Sequence, residues 1–237
     1  MKNSINELSV FLPAYDEEAA LAKTFRNVKE SLEKIVKNWE IIIVDDGSKD
    51  KTGEIADKLK ESDPSHVVVI HHHPNRGYGA AFRTGLYTAK YDWISFIDAD
   101  GQFDFAHISD FFEKQKETDA DLVIGYYQER RVKFYRKINT FLWQTVVFLL
   151  FGLKVKDIDC GFKLISKKVV GKIDKLESER GAFISSEFLI KARKAGFKIV
   201  EIPVPHYPRL TGQGTGSNLN VIIKSFVDLF RLWQKLH

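Results

Sequence analysis

The stretch 93-WISFIDADGQFD-104 sets the reading of the whole chain. Trp93, Ile94, Phe96 and Ile97 make a short apolar, β-prone run that a buried strand explains. Two aspartates one residue apart, Asp98 and Asp100, then end it. At a strand's end they project near one another, and each makes the other harder to ionise. Such a pair is stable when something positive sits against it.

Similar runs lie on either side: 8-LSVFLP-13, 39-WEIIIVDDG-47, 66-HVVVIHH-72 and 120-ADLVIGYY-127. Between the first two, Leu21, Phe25, Val28, Leu32 and Ile35 recur at helical spacing, and 53-GEIADKLKES-62 is helix-like in turn. Continuous apolar strands alternating with helices predict a parallel α/β sheet covered on both faces. The alternation weakens after about residue 128, and the remainder reads as elaboration on the sheet. No internal repeat, low-complexity tract or flexible linker divides the chain.

The 237 residues suffice for one sizeable α/β domain. With 29% charged residues, 44% hydrophobic ones and a net charge of +4, the balance is that of a globular protein, and no nucleic-acid partner is expected. The single cysteine, Cys160, excludes an internal disulfide framework and suits a reducing, cytoplasmic compartment. The polar opening MKNSINE is unlike a secretory leader. No apolar run reaches the roughly 18 residues of a membrane-spanning helix. The longest candidate, 138-INTFLWQTVVFLLFGL-153, is shorter and carries Asn139 and Gln144.

In open parallel sheets, ligands lie at the carboxyl ends of the strands. The first strand ends in 13-PAYDEE-18, the second in 45-DDGSKDKT-52, and the third is followed by 71-HHHPNRGYGAAFRTG-85. With Asp98 and Asp100, acids gather on one rim. Asp16 and Asp50 suit helix N-caps, but so many acids on one rim repel unless a cation is bound. A divalent metal carrying a diphosphate would satisfy them, since Mg²⁺ and Mn²⁺ take hard oxygen ligands and keep positions open for substrate phosphates. Asp98 and Asp100 would supply oxygens, joined by the amide carbonyl of Gln102.

Six elements in order, PAYDEE, IIIVDDGSKDKT, PNRGYGAAFRTG, IDADGQF, DIDCGFKLI and EIPVPHYPRLTG, carry a resemblance from about residue 8 to residue 212. The chain resembles a family 2 glycosyltransferase with the GT-A fold, above all the polyprenyl- and dolichyl-phosphate hexose (mannose or glucose) synthases. The resemblance implies a mostly parallel, helix-flanked nucleotide-sugar-binding sheet over 1–212, with a donor half at about 8–127 and an acceptor half at about 128–212. A C-terminal amphipathic helix over 213–237 would follow. It implies metal-dependent, inverting transfer of a hexose from a GDP-mannose or UDP-glucose type of donor to a polyprenyl phosphate at the cytoplasmic face of a membrane, with Mg²⁺ or Mn²⁺ as cofactor.

By the same resemblance, Pro13, Ala14, Tyr15 and Glu17 match the loop around the base and ribose. Asp45 and Asp46 match the acidic turn that binds the base or orders the loop that does. Gly77 and Ala99 line the donor, and Asp98, Asp100 and Gln102 match the element that holds the metal and the sugar diphosphate. Asp157 matches the aspartate of the D-x-x-[SC]-G-F-[RK] element and joins Asp98 and Asp100 as catalytic. Arg136, with Arg130 and Arg131 beside it, resembles the acceptor-phosphate arginine, and Arg209 the arginine after the last strand. Tyr78 departs, because a lysine is frequent there, and GQGTGSN (212–218) replaces a small-residue-plus-lysine ending. The donor base and hexose stay open.

An anionic acceptor needs no general base, only cations to place it. A hydroxyl acceptor, the alternative, needs a carboxylate base, with Asp157, Asp159 or Glu187 as candidates. The histidines at 71–73 point in different directions along a strand and do not read as a metal patch. Cys160 lacks a neighbouring base and reads as packing. Gly77, Gly79 and Gly85 lack the dinucleotide spacing and read as backbone freedom near the sugar. Arg130, Arg131, Lys133, Arg136 and Lys137 precede the apolar 138–153 run. On the last helix Ile222, Phe226, Leu229, Phe230 and Trp233 form a stripe with Lys224, Arg231 and Lys235 off it. Both segments are expected as interfacial helices in peripheral contact with a membrane.

Overall fold

Alternate residues of the long strands enter two different cores, which is why those strands read as unbroken apolar runs. Val10 and Leu12 join one core and Phe11 the other, while Ile41 and Ile43 part from Ile42 and Val44 in the same way. The computed structural model describes residues 5–127, 134–179, 181, 183–208 and 219–236, the side chains of 134–139 and 219–223 excepted.

The chain runs β1 (Ile5–Ala14), α1 (Leu21–Ile35), β2 (Val36–Asp45), α2 (Thr52–Ser62), β3 (Val67–His71), α3 (Tyr78–Thr88) and β4 (Trp93–Ile97). After a 3₁₀ turn at Phe105–His107 come α4 (Ile108–Thr118), β5 (Leu122–Tyr127), α5 (Phe134–Phe151) and β6 (Phe162–Ser166). The last elements are α6 (Lys167–Lys172), α7 (Phe183–Lys194), β7 (Ile199–Val204) and α8 (Leu219–Leu236). Helices α1, α2 and α4 pack on one face of the sheet; α3, α5, α6, α7 and α8 pack on the other.

The strands form one sheet in the order β3-β2-β1-β4-β6-β5-β7. From β1 the chain fills outward through β2 and β3, then returns to the other side of β1 with β4. The strand order therefore reverses between β1 and β4, which is where an open sheet leaves a crevice beyond its carboxyl ends. Strand β6 pairs antiparallel with both β4 and β5, and β5 pairs parallel with β7. The parallel sheet expected from the apolar runs is thus mixed, with β6 as its one reversed strand. Apolar patterning alone revealed neither β6 nor β7, although the resemblance implied a last strand before Arg209. In β6 the pattern is broken by Lys163, which is fully buried, donates to the Cys160 carbonyl and lies 5.4 Å over the Phe96 ring. In β7 it is broken by Glu201 and Pro203, and a proline is tolerated there because β7 is an edge strand.

Close approach, rather than backbone freedom, explains two of the three glycines near 80. A Cβ on Gly85 would stand 2.4 Å from the Phe11 ring, and one on Gly79 would stand 2.6 Å from the Ser178 carbonyl oxygen. Helix α3 therefore lies unusually deep against the sheet. Phe11 cannot retreat, because its ring meets Phe82 at 5.3 Å and Phe96 at 5.2 Å between centroids. Gly77 alone needs glycine's freedom, entering α3 at a φ of 98°.

The Gly85→Ala variant is expected to destabilise the protein by about 1–3 kcal/mol, the usual cost of overpacking a filled core. Chemical denaturation midpoints measure it, with Gly171→Ala as the control, since nothing lies within 4 Å of a Cβ at Gly171.

Candidate active site

The loops leaving β1 and β2 are laced together at one side of the crevice. Asp16, at a φ of 53°, donates its N–H to the Ser48 hydroxyl oxygen, and its carboxylate accepts from the Lys49 N–H at 2.7 Å. Glu17 N–H donates to the Thr52 hydroxyl, and Asp50 accepts from the Thr52 N–H at 2.9 Å and from the Glu18 N–H at 3.1 Å. Asp50 thus serves the start of α2, whereas Asp16 joins two loops instead of capping a helix. Pro13 and Ala14 are buried at the end of β1, and Tyr15 stands exposed above them.

The two acids closing β2 have different partners. Asp45 accepts from the Ser48 N–H at 3.0 Å and meets His71 Nδ1 at 2.9 Å. Burial acts to raise its pKa, but the hydrogen bonds from Ser48 and His71 outweigh it and hold the carboxyl below its ordinary value. Asp46 is turned inward. One oxygen meets His72 Nδ1 at 2.6 Å and the Arg76 N–H; the other takes the Asn75 amide at 2.8 Å and the Gly77 N–H at 2.7 Å. His72 is held from behind by the Thr84 hydroxyl at 2.9 Å. Asp46 therefore orders the 72–77 loop. The two neighbouring histidines face separate aspartates, as consecutive strand residues should.

Past β4, Asp98 is half-buried and Asp100 is buried. Asp100 accepts the Gln102 N–H at 3.0 Å, and the Gln102 side chain donates to the Tyr207 carbonyl at 3.1 Å. Tyr207 N–H returns a bond to the Gln102 carbonyl at 2.9 Å, so the segment after β7 is fastened to the Asp-x-Asp loop. Asp98 Oδ1 accepts from the Tyr78 hydroxyl at 3.0 Å. Burial first, and the Asp98 charge next, push the Tyr78 pKa well above its ordinary range, so its hydroxyl keeps its proton.

Because β6 is reversed, its amino-terminal end lies on the same rim as the carboxyl end of β4. Asp98 N–H donates to the Gly161 carbonyl at 3.1 Å, and a Cβ on Gly161 would fall 1.9 Å from Asp98 Oδ2. Asp157 is buried and accepts the Asp159 N–H at 3.1 Å, making a tight turn that leads into β6. Cys160 beneath it is buried, and burial pushes its thiol up to about 12, which suits packing and not nucleophilic chemistry. An aromatic group completes this side: Phe103 stacks on Tyr127, and His206 meets Tyr127 at 4.3 Å between ring centres.

Glu187 lies elsewhere. It is buried in α7, accepts the Glu177 and Ser178 N–H groups at 2.8 Å each, and pairs with Lys191 at 2.7 Å. Burial would raise its pKa, but the bonds from Lys191 and Ser178 outweigh it and leave the carboxyl below its ordinary value. So committed a carboxylate is not a general base, and of the three candidates only Asp157 and Asp159 stand at the rim. Arg130, Arg131, Lys133 and Arg209 fall outside the described residues, and Arg136 lies in α5 with its side chain outside them. Sequence reading had not assigned a task to Tyr78, His72 or Gly161. The one available signal was the glycine placed directly before a buried strand.

Hard oxygen donors at the reversal of the sheet fit a divalent cation. Among the described residues, no three Asp, Glu, His or Cys side chains converge as a complete cage. That fits an ion sharing its coordination with substrate oxygens.

The family model described as Glycosyl transferase family 2 matches residues 9–174. The chain belongs to that family and is a glycosyltransferase. It is 32% identical to an uncharacterized protein of Methanocaldococcus jannaschii over 97% of this chain and 93% of that one. It is also 32% identical to the dolichyl-phosphate beta-glucosyltransferase of Dictyostelium discoideum, over 86% of this chain and 68% of that one. Among solved structures, glucosyl-3-phosphoglycerate synthase from Mycobacterium tuberculosis with Mn²⁺, UDP and phosphoglyceric acid superposes with a TM-score of 0.71 at 19% identity. The match covers 96% of this chain and 78% of that one. The fold is GT-A.

Gly161→Ala adds one methyl group and no charge, yet it must displace Asp98. Sugar transfer is expected to fall roughly 100-fold, the cost of a misplacement of about 1 Å at a reacting centre. Steady-state turnover and the circular dichroism spectrum, the latter unchanged, check it together.

Proposed function

We propose that this chain is a metal-dependent, inverting transferase that moves a hexose from a nucleotide-sugar to a polyprenyl phosphate at a membrane surface. The observation that carries the acceptor assignment is an exposed apolar face shared by two helices of a glycosyltransferase. On α5, Leu149 is 74% and Phe141 66% exposed, with Leu142 and Phe148 also open; on α8, Phe230 is 53% exposed, with Phe226 and Val227 beside it. The stripe foreseen on α8 divides, because Leu229 and Leu232 are buried against the domain while Phe226 and Phe230 face outward. The two helices meet where Trp143 packs edge-on to Phe226, 5.0 Å between centres. No helix of the described residues is long and apolar enough to cross a membrane. Such a surface suits helices lying in a membrane interface. The similarity to a dolichyl-phosphate beta-glucosyltransferase supports the same reading.

In this reading the base and ribose lie over the β1 and β2 loops, with Pro13, Ala14, Tyr15, Glu17 and Asp45 around them and Asp46 holding the loop that carries Gly77. Asp98 and Asp100, with Gln102 adjoining, would hold Mg²⁺ or Mn²⁺, which when bound would supply positive charge against the departing diphosphate. Ala99 is buried between the two carboxylates in sequence and keeps the turn small. The lipid phosphate attacks as an anion, placed by Arg136 with Arg130, Arg131 and Arg209, and no side chain takes a proton. Asp157 positions the sugar or an arginine. The residues before 128 serve the donor, those of 128–212 the acceptor, and 213–237 the membrane.

The purified protein, vesicles bearing a short polyprenyl phosphate and a panel of UDP- and GDP-sugars test this directly. One donor is expected to yield a β-linked lipid-phosphate hexose, EDTA to stop the reaction reversibly, and Asp100→Asn to lose roughly 100-fold or more. Transfer to a soluble hydroxyl acceptor, with an acidic limb in the pH–rate profile that Asp157→Asn removes, would instead establish the base-catalysed alternative.

The apolar face has its own test. Burying a large apolar side chain contributes about 1.5–3 kcal/mol, so replacing Phe141, Leu149 and Phe230 together with Ser should cut partitioning onto anionic vesicles by well over tenfold. Co-sedimentation measures it. A wild-type protein that ignores vesicles, or a triple variant that still binds them, refutes the surface assignment.

A further inference from the structure

The Tyr78 side chain has no part in the mechanism above, although it touches the central carboxylate. Its backbone is fixed before its hydroxyl is used. Gly77, immediately before it, gives its N–H to Asp46 at 2.7 Å, and Ala80 N–H, two residues on, donates to the Glu179 carbonyl at 3.0 Å. The ring stands edge-on to Phe96, 6.4 Å between centres, on the strand that ends in Asp98. The hydroxyl then donates to Asp98 Oδ1 at 3.0 Å, while Oδ2 lies over the bare backbone of Gly161. The plane of the carboxylate is thus set from two sides, by a donor on one oxygen and by a shape on the other.

We propose that Tyr78 is the positioning residue of the cation site: its hydroxyl holds the Asp98 carboxylate in one orientation and itself brings no positive charge to compete with the cation. The inference rests on the cation-dependent reading of Asp98 and Asp100. A cationic side chain at position 78 would orient Asp98 equally well, but it would compensate the charge that attracts the metal. A phenol orients without competing. The same residue links the two ends of the donor site, since the loop that Asp46 orders delivers the side chain that holds Asp98.

The experiment counts free Mn²⁺ by electron paramagnetic resonance while protein is titrated with the ion, alone and with UDP or GDP. Tyr78→Phe is expected to bind Mn²⁺ about tenfold or more weakly than the wild type, the usual loss when a partner orienting a metal ligand is removed. Its melting temperature should stay close to the wild-type value. The Mn²⁺ concentration for half-maximal turnover should rise by the same factor, with kcat largely restored at saturating Mn²⁺. Tyr78→Lys restores a donor with a charge and should bind Mn²⁺ more weakly still. Wild-type affinity in Tyr78→Phe, or affinity at or above wild type in Tyr78→Lys, overturns the assignment of Tyr78. Failure of the wild type itself to bind Mn²⁺ with either nucleotide strikes the cation reading and is told apart by that result alone.

Discussion

One reversed strand governs the rest of the active site. Were β6 parallel to β4, the turn at 157–161 would open onto the opposite rim, and the Asp-x-Asp loop would face solvent unaided. Antiparallel pairing places Gly161 beside Asp98, where one N–H···O bond fixes the backbone and one absent side chain leaves room for the carboxylate. The same pairing seats Lys163 against Phe96 within the core beneath the rim.

Two acids outside the Asp-x-Asp loop are committed to holding loops in place. Asp46 and Glu187 take backbone N–H groups, a histidine or a lysine, and they order the 72–77 and 177–178 loops. Those two loops flank the start of α3, so the helix that carries Tyr78 is held at both sides of its first turn. Arg83 adds to this by donating to the Leu176 and Glu177 carbonyls and to the Glu179 carboxylate. A buried carboxylate with several donors costs little to keep ionised, and its fixed geometry is what it contributes.

Much of this was legible in the sequence for a simple physical reason. Strands covered on both faces are apolar throughout, so β1 to β5 announced themselves, and ligands gather where such strands end. Asp98 and Asp100 followed from that rule. What stayed hidden depends on contacts across the chain. Strand β6 contains a buried lysine held by a carbonyl and an aromatic ring, and β7 carries a glutamate and a proline that an edge position tolerates. Asp46 could not be told from Asp45 by type or spacing, since the histidine and loop partners that distinguish them come from 26 to 31 residues away. The α8 stripe was visible as a stripe, but which part meets the domain and which faces outward is set by α5 and α7. The glycines of α3 were noticed for the wrong property: their missing Cβ matters more than their freedom.

Cys160 carries a consequence of a different kind. Its sulfur would lie 2.9 Å from a Cβ at Gly125, so it is enclosed between β5 and β6 with no room for a reagent. The molecule has no other thiol. Alkylation can therefore proceed only through moments when these two strands part, and its rate is a clock for local opening of the seam on which the active site is built. A single native sulfur thus makes the breathing of the catalytic rim observable without any label being introduced.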